Sequence, residues 1–187
     1  MLIGEPEVFA IESFVNKVYP STSFLALGYF SIYISSGVYG VRLPEASMLG
    51  CSFNSVQRRI EQRGLHLLPS VSNSEASVIS EFVQNAIYSE NPYDRVLDMS
   101  REEFMESLCK REILWAPDGD EAFDDGSHIL QIDEGDKVRL IAFVNDENIE
   151  FLRRSVSEIY LSQDAFYHIL EEWIGAFQKE LKIKNHL

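Results

Sequence analysis

The densest set of groups able to do chemistry is Asp118-Gly119-Asp120-Glu121-Ala122-Phe123-Asp124-Asp125-Gly126, which places five carboxylates in nine residues. Hard oxygen donors on a loop suit calcium or magnesium, and a divalent ion held there would suit a metal-dependent hydrolase. The spacing of a calcium-binding loop is not met. Counted from Asp118, the fifth and sixth positions are Ala122 and Phe123; counted from Asp120, the third is Ala122 and the sixth is Asp125, where the sharp turn needs glycine. His168 stands four residues before Glu172, close to the spacing of a metal pair or of a base with its orienting carboxylate. A second histidine is missing, and Ile169 and Leu170 beside it belong to an apolar stripe, so the spacing reads as an ordinary helix-boundary histidine. Asp133, Glu134 and Asp136 look like a carboxylate pair for glycosidic or phosphoryl work, but a tight hairpin turn already explains acids there. His66 and His128 stand alone and receive no role. Cys51 and Cys109 lack CxxC spacing and are expected as reduced, partly buried thiols. No P-loop, GxGxxG, GxSxG or HExxH occurs. The residues therefore point away from an enzyme, and neither a cofactor nor a metal is expected.

Charge excludes a second class. The 187-residue chain carries 16 basic against 30 acidic residues, a net charge of −14. From Glu90 to Glu150 there are 18 acidic and 6 basic residues, so an excess of 12 negative charges sits in the middle of the chain. Nucleic-acid binding needs clustered lysine and arginine, and Arg58-Arg59 with Arg63, Arg153-Arg154, and the tail lysines Lys179, Lys182 and Lys184 are short and lack interleaved aromatics. A regional acidic field is either a solvated surface that aids solubility or a field that steers and orients a basic protein partner. No run approaches the 20 or so apolar residues of a membrane span, since Phe24 to Ile34 is broken by Gly28 and Ser31. The first residues carry acid where a signal peptide would carry lysine or arginine, which gives the expectation of a cytoplasmic protein with no membrane partner.

The elements that would position these groups come in blocks. Val8–Val15, Phe24–Ile34 and Val38–Leu43 are β-branched and aromatic runs divided by turn residues, an antiparallel start. Ser52–Arg63 reads as a helix closed by Gly64, with Phe53, Val56 and Ile60 on one face. A second helix is capped by Ser74 or Asn73 and runs to about Tyr88, and Ser100 with Glu103 is a capping box for a third. Residues 117–126 are a loop. His128–Asp133 and Lys137–Val144 form a hairpin whose second strand, almost continuously apolar, must be central. A short helix over 147–154 and a strand over 156–161 lead to Ser162, which caps a long amphipathic C-terminal helix with Phe166, Ile169, Leu170, Trp173, Ile174, Phe177 and Leu181 on one face. The expected fold is α+β, a single domain over 1–187, with a mainly antiparallel sheet packed on helices.

Three passages resemble the bacterial immunity protein 42 family, found beside polymorphic toxins. They are Ile3-Gly4-Glu5-Pro6 with Phe9-Ala10-Ile11, then Phe123–Ser127 leading through Leu130-Gln131 to Val138–Phe143, and finally Val156–Leu161 running into Phe166-Tyr167 and Leu170–Trp173. Little matches between Pro44 and Arg111, a stretch in which partner choice could reside. The resemblance implies an α+β protein without catalytic residues that binds and neutralises one cognate secreted toxin. The charge then suggests an acidic surface occluding a basic toxin domain, with Asp118, Asp120, Glu121, Asp124 and Asp125 as contact residues. Trp115 and Phe123 are either neighbouring anchors or core. The alternatives are a metal-dependent hydrolase using the Asp118–Asp125 carboxylates and an acidic regulatory module that binds some other protein.

Overall fold

A computed structural model describes residues 1–19, 21–23, 25–116 and 121–185. The chain opens with strands β1 (Leu2–Glu5), β2 (Phe9–Tyr19), β3 (Leu25–Ile34) and β4 (Gly37–Tyr39), laid side by side in sequence order and all antiparallel, while β5 (Ser47–Met48) pairs with β3. β1 carries no alternation of its own and forms by pairing with β2. The register of β2 shifts between Val15 and Lys17, opposite Gly28. A side chain there has no room, because a Cβ on Gly28 would lie 1.8 Å from the Phe14 carbonyl oxygen. β4 is shorter than the Val38–Leu43 run suggests. Gly40, at φ +109°, turns the chain away, and the Val41 N–H goes to the Ala122 carbonyl at 2.8 Å rather than to β3.

Helices α1 (Leu49–Glu61) and α2 (Ala76–Tyr88) follow. α1 begins three residues before the expected Ser52, and Gly64 adopts φ +80° just past its end. The cap of α2 is Glu75 without a side-chain hydrogen bond, not Ser74 or Asn73. A two-strand ladder, β6 (Arg95–Val96) with β7 (Met99–Ser100), precedes α3 (Arg101–Lys110), where both arms of the Ser100–Glu103 capping box form. The second sheet comprises β8 (Leu114–Ala116), β9 (Ser127–Glu134), β10 (Lys137–Val144) and β11 (Ser157–Ser162), antiparallel in the order β11-β10-β9-β8. Glu134 faces Lys137, which leaves Gly135 (φ +65°) and Asp136 as a two-residue turn. α4 (Ile149–Ser155) links β10 to β11, and α5 (Gln163–Lys184) starts from Ser162, whose hydroxyl accepts from the Ala165 amide.

The expected antiparallel framework is thus divided into two main sheets, and the second forms the wall between two cores. Alternation along β9 and β10 decides this. Ile129, Val138, Leu140 and Ala142 pack with Phe9, Ile11, Phe30 and Ile32 of the first sheet and with Phe166, Trp173 and Phe177 of α5. Leu130, Ile132, Ile141 and Phe143 point the other way, toward Ile79 and Val83 of α2, Phe104 and Leu108 of α3, and Leu152 of α4. With both faces covered, β10 has to be apolar at nearly every position. α5 is held by five buried side chains, Phe166, Tyr167, Leu170, Trp173 and Phe177, each contributing roughly 2 kcal/mol by burial.

Candidate functional site

The acidic loop is built from its apolar residues outward. Ala122 and Phe123 are buried in the first core, with the Phe123 ring edge-on to Phe30 at 6.2 Å, so a short turn over Glu121–Phe123 is pinned to the body. Two of the three described acids then serve this local fold. Glu121 Oε2 accepts from the Met48 amide at 3.2 Å, and Asp125 accepts from Gly40 N–H at 2.9 Å through Oδ2 and from Ser127 N–H at 3.0 Å through Oδ1. Asp124 is exposed. Asp118 and Asp120 lie outside the described residues. Trp115 is also buried, so it and Phe123 are core residues rather than surface anchors.

From this loop the acid continues across a second one. The Gly126 carbonyl accepts from Asn145 N–H at 2.8 Å, which ties the loop to residues 144–151, where Asp146, Glu147 and Glu150 are exposed. The same stretch exposes Val144, Ile149 and Phe151, the last at 56%. It is firmly built: Asn148 Oδ1 caps α4 through Glu150 N–H at 3.0 Å, and the Asn148 amide donates to Asp146 Oδ1 at 2.7 Å.

A buried polar cluster on the first-core face of β9 was not read from the sequence. Asp133 is not a turn residue; it sits inside the strand, 3% exposed. The Tyr167 hydroxyl donates to its carboxylate at 3.3 Å, Gln131 Nε2 at 3.3 Å, and the His66 amide at 3.2 Å. Gln131 Oε1 accepts from the Arg59 guanidinium at 3.0 Å, which also donates to the Glu112 carbonyl at 2.9 Å and lies over the Trp115 ring at 4.8 Å. Burial pushes Arg59 down to about 9, against the pull of Glu112, so it remains charged at neutral pH. Burial, and then the Arg59 charge, hold the His66 ring below its ordinary value. Its Nδ1–H donates to the Arg111 carbonyl at 2.9 Å, and its Nε2 is buried with no partner among the described residues. Burial, with Asp133 beside it, raises Tyr167. Arg59, His66, Gln131, Asp133 and Tyr167 are each at most 3% exposed, so no substrate reaches them. The cluster ties α1, β9, α5 and the segment before β8 into one body. Its one legible signal is polar residues at Gln131 and Asp133, two apart in an otherwise apolar strand.

The remaining sequence candidates disperse. Glu134 approaches Arg139 at 3.8 Å and Asp136 occupies the hairpin turn. His128 stacks on Phe143 at 4.9 Å and meets the Tyr88 hydroxyl at 2.9 Å, so neither it nor His66 stands alone. His168 and Glu172 form an exposed pair at 3.5 Å on α5. Cys51 and Cys109 are both exposed rather than partly buried. On the outer face of the first sheet Glu12 accepts from the Tyr33 and Tyr29 hydroxyls at 2.6 and 2.8 Å and pairs with Arg42 at 2.9 Å. Burial pushes the Glu12 carboxyl up, but the hydrogen bonds from Tyr33, Tyr29 and Arg42 outweigh it and lower the value. Among the described residues no group of three or more His, Cys, Asp or Glu is placed to hold a metal, and no helix is long and apolar enough to cross a membrane.

The family model for immunity protein 42 matches residues 1–176. No curated protein matches the chain. Among solved structures, the crystal structure of CdiI from Burkholderia dolosa AUO158 is similar, with a TM-score of 0.60 at 17% identity over 94% of this chain and 99% of that one. At that identity the likeness speaks for the fold.

Proposed function

Because the chain belongs to the immunity protein 42 family, we propose that it protects its producer by covering a cognate toxin with an acidic surface, as one domain spanning 1–187 in the cytoplasm. It acts by binding and not by turnover. The observation that carries the electrostatic part is the regional charge, 18 acidic against 6 basic residues between Glu90 and Glu150, part of it exposed at Asp124 and at Asp146, Glu147 and Glu150. Such a field accelerates encounter with a basic domain and disfavours acidic competitors. Asp118, Asp120, Glu121, Asp124 and Asp125 are the proposed first contacts. Glu121 and Asp125 also hold the loop in place, so the free charge at Asp124 is the cleanest probe.

The test is co-expression with the toxin encoded beside the gene, together with titration of the purified pair from about 0.05 to 0.5 M salt. Rescue of growth and affinity that falls with salt support the proposal. Rescue with binding indifferent to salt removes the electrostatic mechanism alone, and no rescue removes the immunity role.

A further inference from the structure

α1 and α5 leave a groove of about 360 Å³ between them, with the half-buried Phe53, Ile60 and Ile174 as its floor and the exposed Gln57, Glu61 and Glu171 on its rim. The floor is backed by the first core, where Phe53 packs on Phe177 at 5.7 Å. Gln57 Nε2 donates to Glu61 Oε1 at 3.0 Å and orients that carboxylate. Asp164 and Glu180 on α5 are paired with Arg63 and Lys184, and Glu172 lies 3.5 Å from His168, whereas Glu61 and Glu171 form no ion pair among the described residues.

Gly175 lies on α5 between Glu171 and Gln178, one turn from each. Glycine is the poorest ordinary helix former, and inside a helix it calls for a reason. Gly28 and Gly40 have one in their crowded surroundings, and Gly64 and Gly135 in their positive φ. Gly175 has neither: a Cβ there would meet nothing within 4 Å among the described residues. No contact among the described residues calls for a bare backbone at this point, and the open space beside it leaves room for another main chain to approach the helix closely.

We propose that the groove receives a lysine or arginine side chain of the toxin, its aliphatic stem on Phe53, Ile60 and Ile174 and its charge at Glu61 and Glu171, while Gly175 admits the toxin's main chain against the helix. An apolar floor under an acidic rim matches the two halves of such a side chain. The near end of the groove faces the acidic loop: Glu121 holds the amide of Met48 at the start of α1, Phe53 follows five residues later, roughly 8 Å along the axis, and Glu61 lies roughly 12 Å beyond it. This assignment rests on the toxin-binding reading.

The experiment is calorimetric titration of the catalytically inactivated toxin domain encoded beside this gene into wild type, Gly175→Ala, Gly175→Leu and Glu171→Lys, each also melted thermally. Gly175→Ala is expected to melt above wild type and to bind more weakly, with Gly175→Leu and Glu171→Lys losing about tenfold or more. Higher stability with lower affinity is a combination that damaged packing does not produce. Wild-type affinity in Gly175→Leu and Glu171→Lys, or a lowered melting temperature in Gly175→Ala, overturns the groove and leaves toxin binding intact. Absence of binding by wild type overturns both.

Discussion

Asp133 and His66 are joined twice: the Asp133 amide donates to the His66 carbonyl at 2.7 Å, and the His66 amide donates back to Asp133 Oδ2 at 3.2 Å. A loop residue far away in sequence is thereby paired with β9 almost as a further strand would be. The same carboxylate receives Tyr167 and Gln131, and Gln131 carries the contact on to Arg59.

Asp133→Asn is expected to lose about 3 kcal/mol in urea unfolding, because it neutralises one end of a buried charged network and turns an N–H₂ toward donors. Combining it with Arg59→Met should cost less than the two single changes added, since each removes the other's reason to be charged.

Stability should fall as acid is added near pH 6. The folded protein holds His66 below its usual value, so the unfolded chain takes up the proton first and is favoured as pH drops through the ordinary histidine range of about 6.5. In His66→Gln the urea midpoint should depend less on pH between about 5.5 and 7.5 than it does in wild type. Glu12, whose value is lowered, adds its own loss only below the normal carboxylate value of 4.5.

Gly28→Ala is expected to cost about 3 kcal/mol or to prevent folding, as the new methyl meets the Phe14 carbonyl and Leu49 Cδ1. A melting curve close to wild type would contradict the tight approach of β2 and β3 at the bulge.

The two exposed neighbours in the acidic loop should behave differently. Asp125→Ala removes the acceptor for Gly40 and Ser127 and is expected to cost about 1.5 kcal/mol. Asp124→Asn should change stability by less than about 0.5 kcal/mol while weakening toxin binding at low salt, measured by titration.

Elements with strong local signals were legible: the Ser100 capping box, the hairpin around Gly135, the Ser162 cap and the wide apolar face of α5 all form where spacing and turn chemistry place them, although the turn itself is two residues where Glu134-Gly135-Asp136 suggested three. β1 and the start of α1 were not, because Leu2–Glu5 has no alternation and Leu49–Cys51 precede any capping residue; both are fixed by what they pack against. The division into two sheets depends on contacts between residues more than 100 positions apart, as in the hydrogen bond from Trp173 to Ser13. Asp133 was hidden by its neighbours: Glu134-Gly135-Asp136 makes a good turn, and one more acid beside it looks like part of that turn until the strand is seen to reach Glu134.

The strands that both cores share, β9 and β10, join the two halves into one frame. Loosening either side strips one face of the same ribbon, so neither half can soften alone to accommodate an ill-fitting toxin. On the proposed toxin-binding reading, exposed side chains can be exchanged to alter the choice of toxin without disturbing either core.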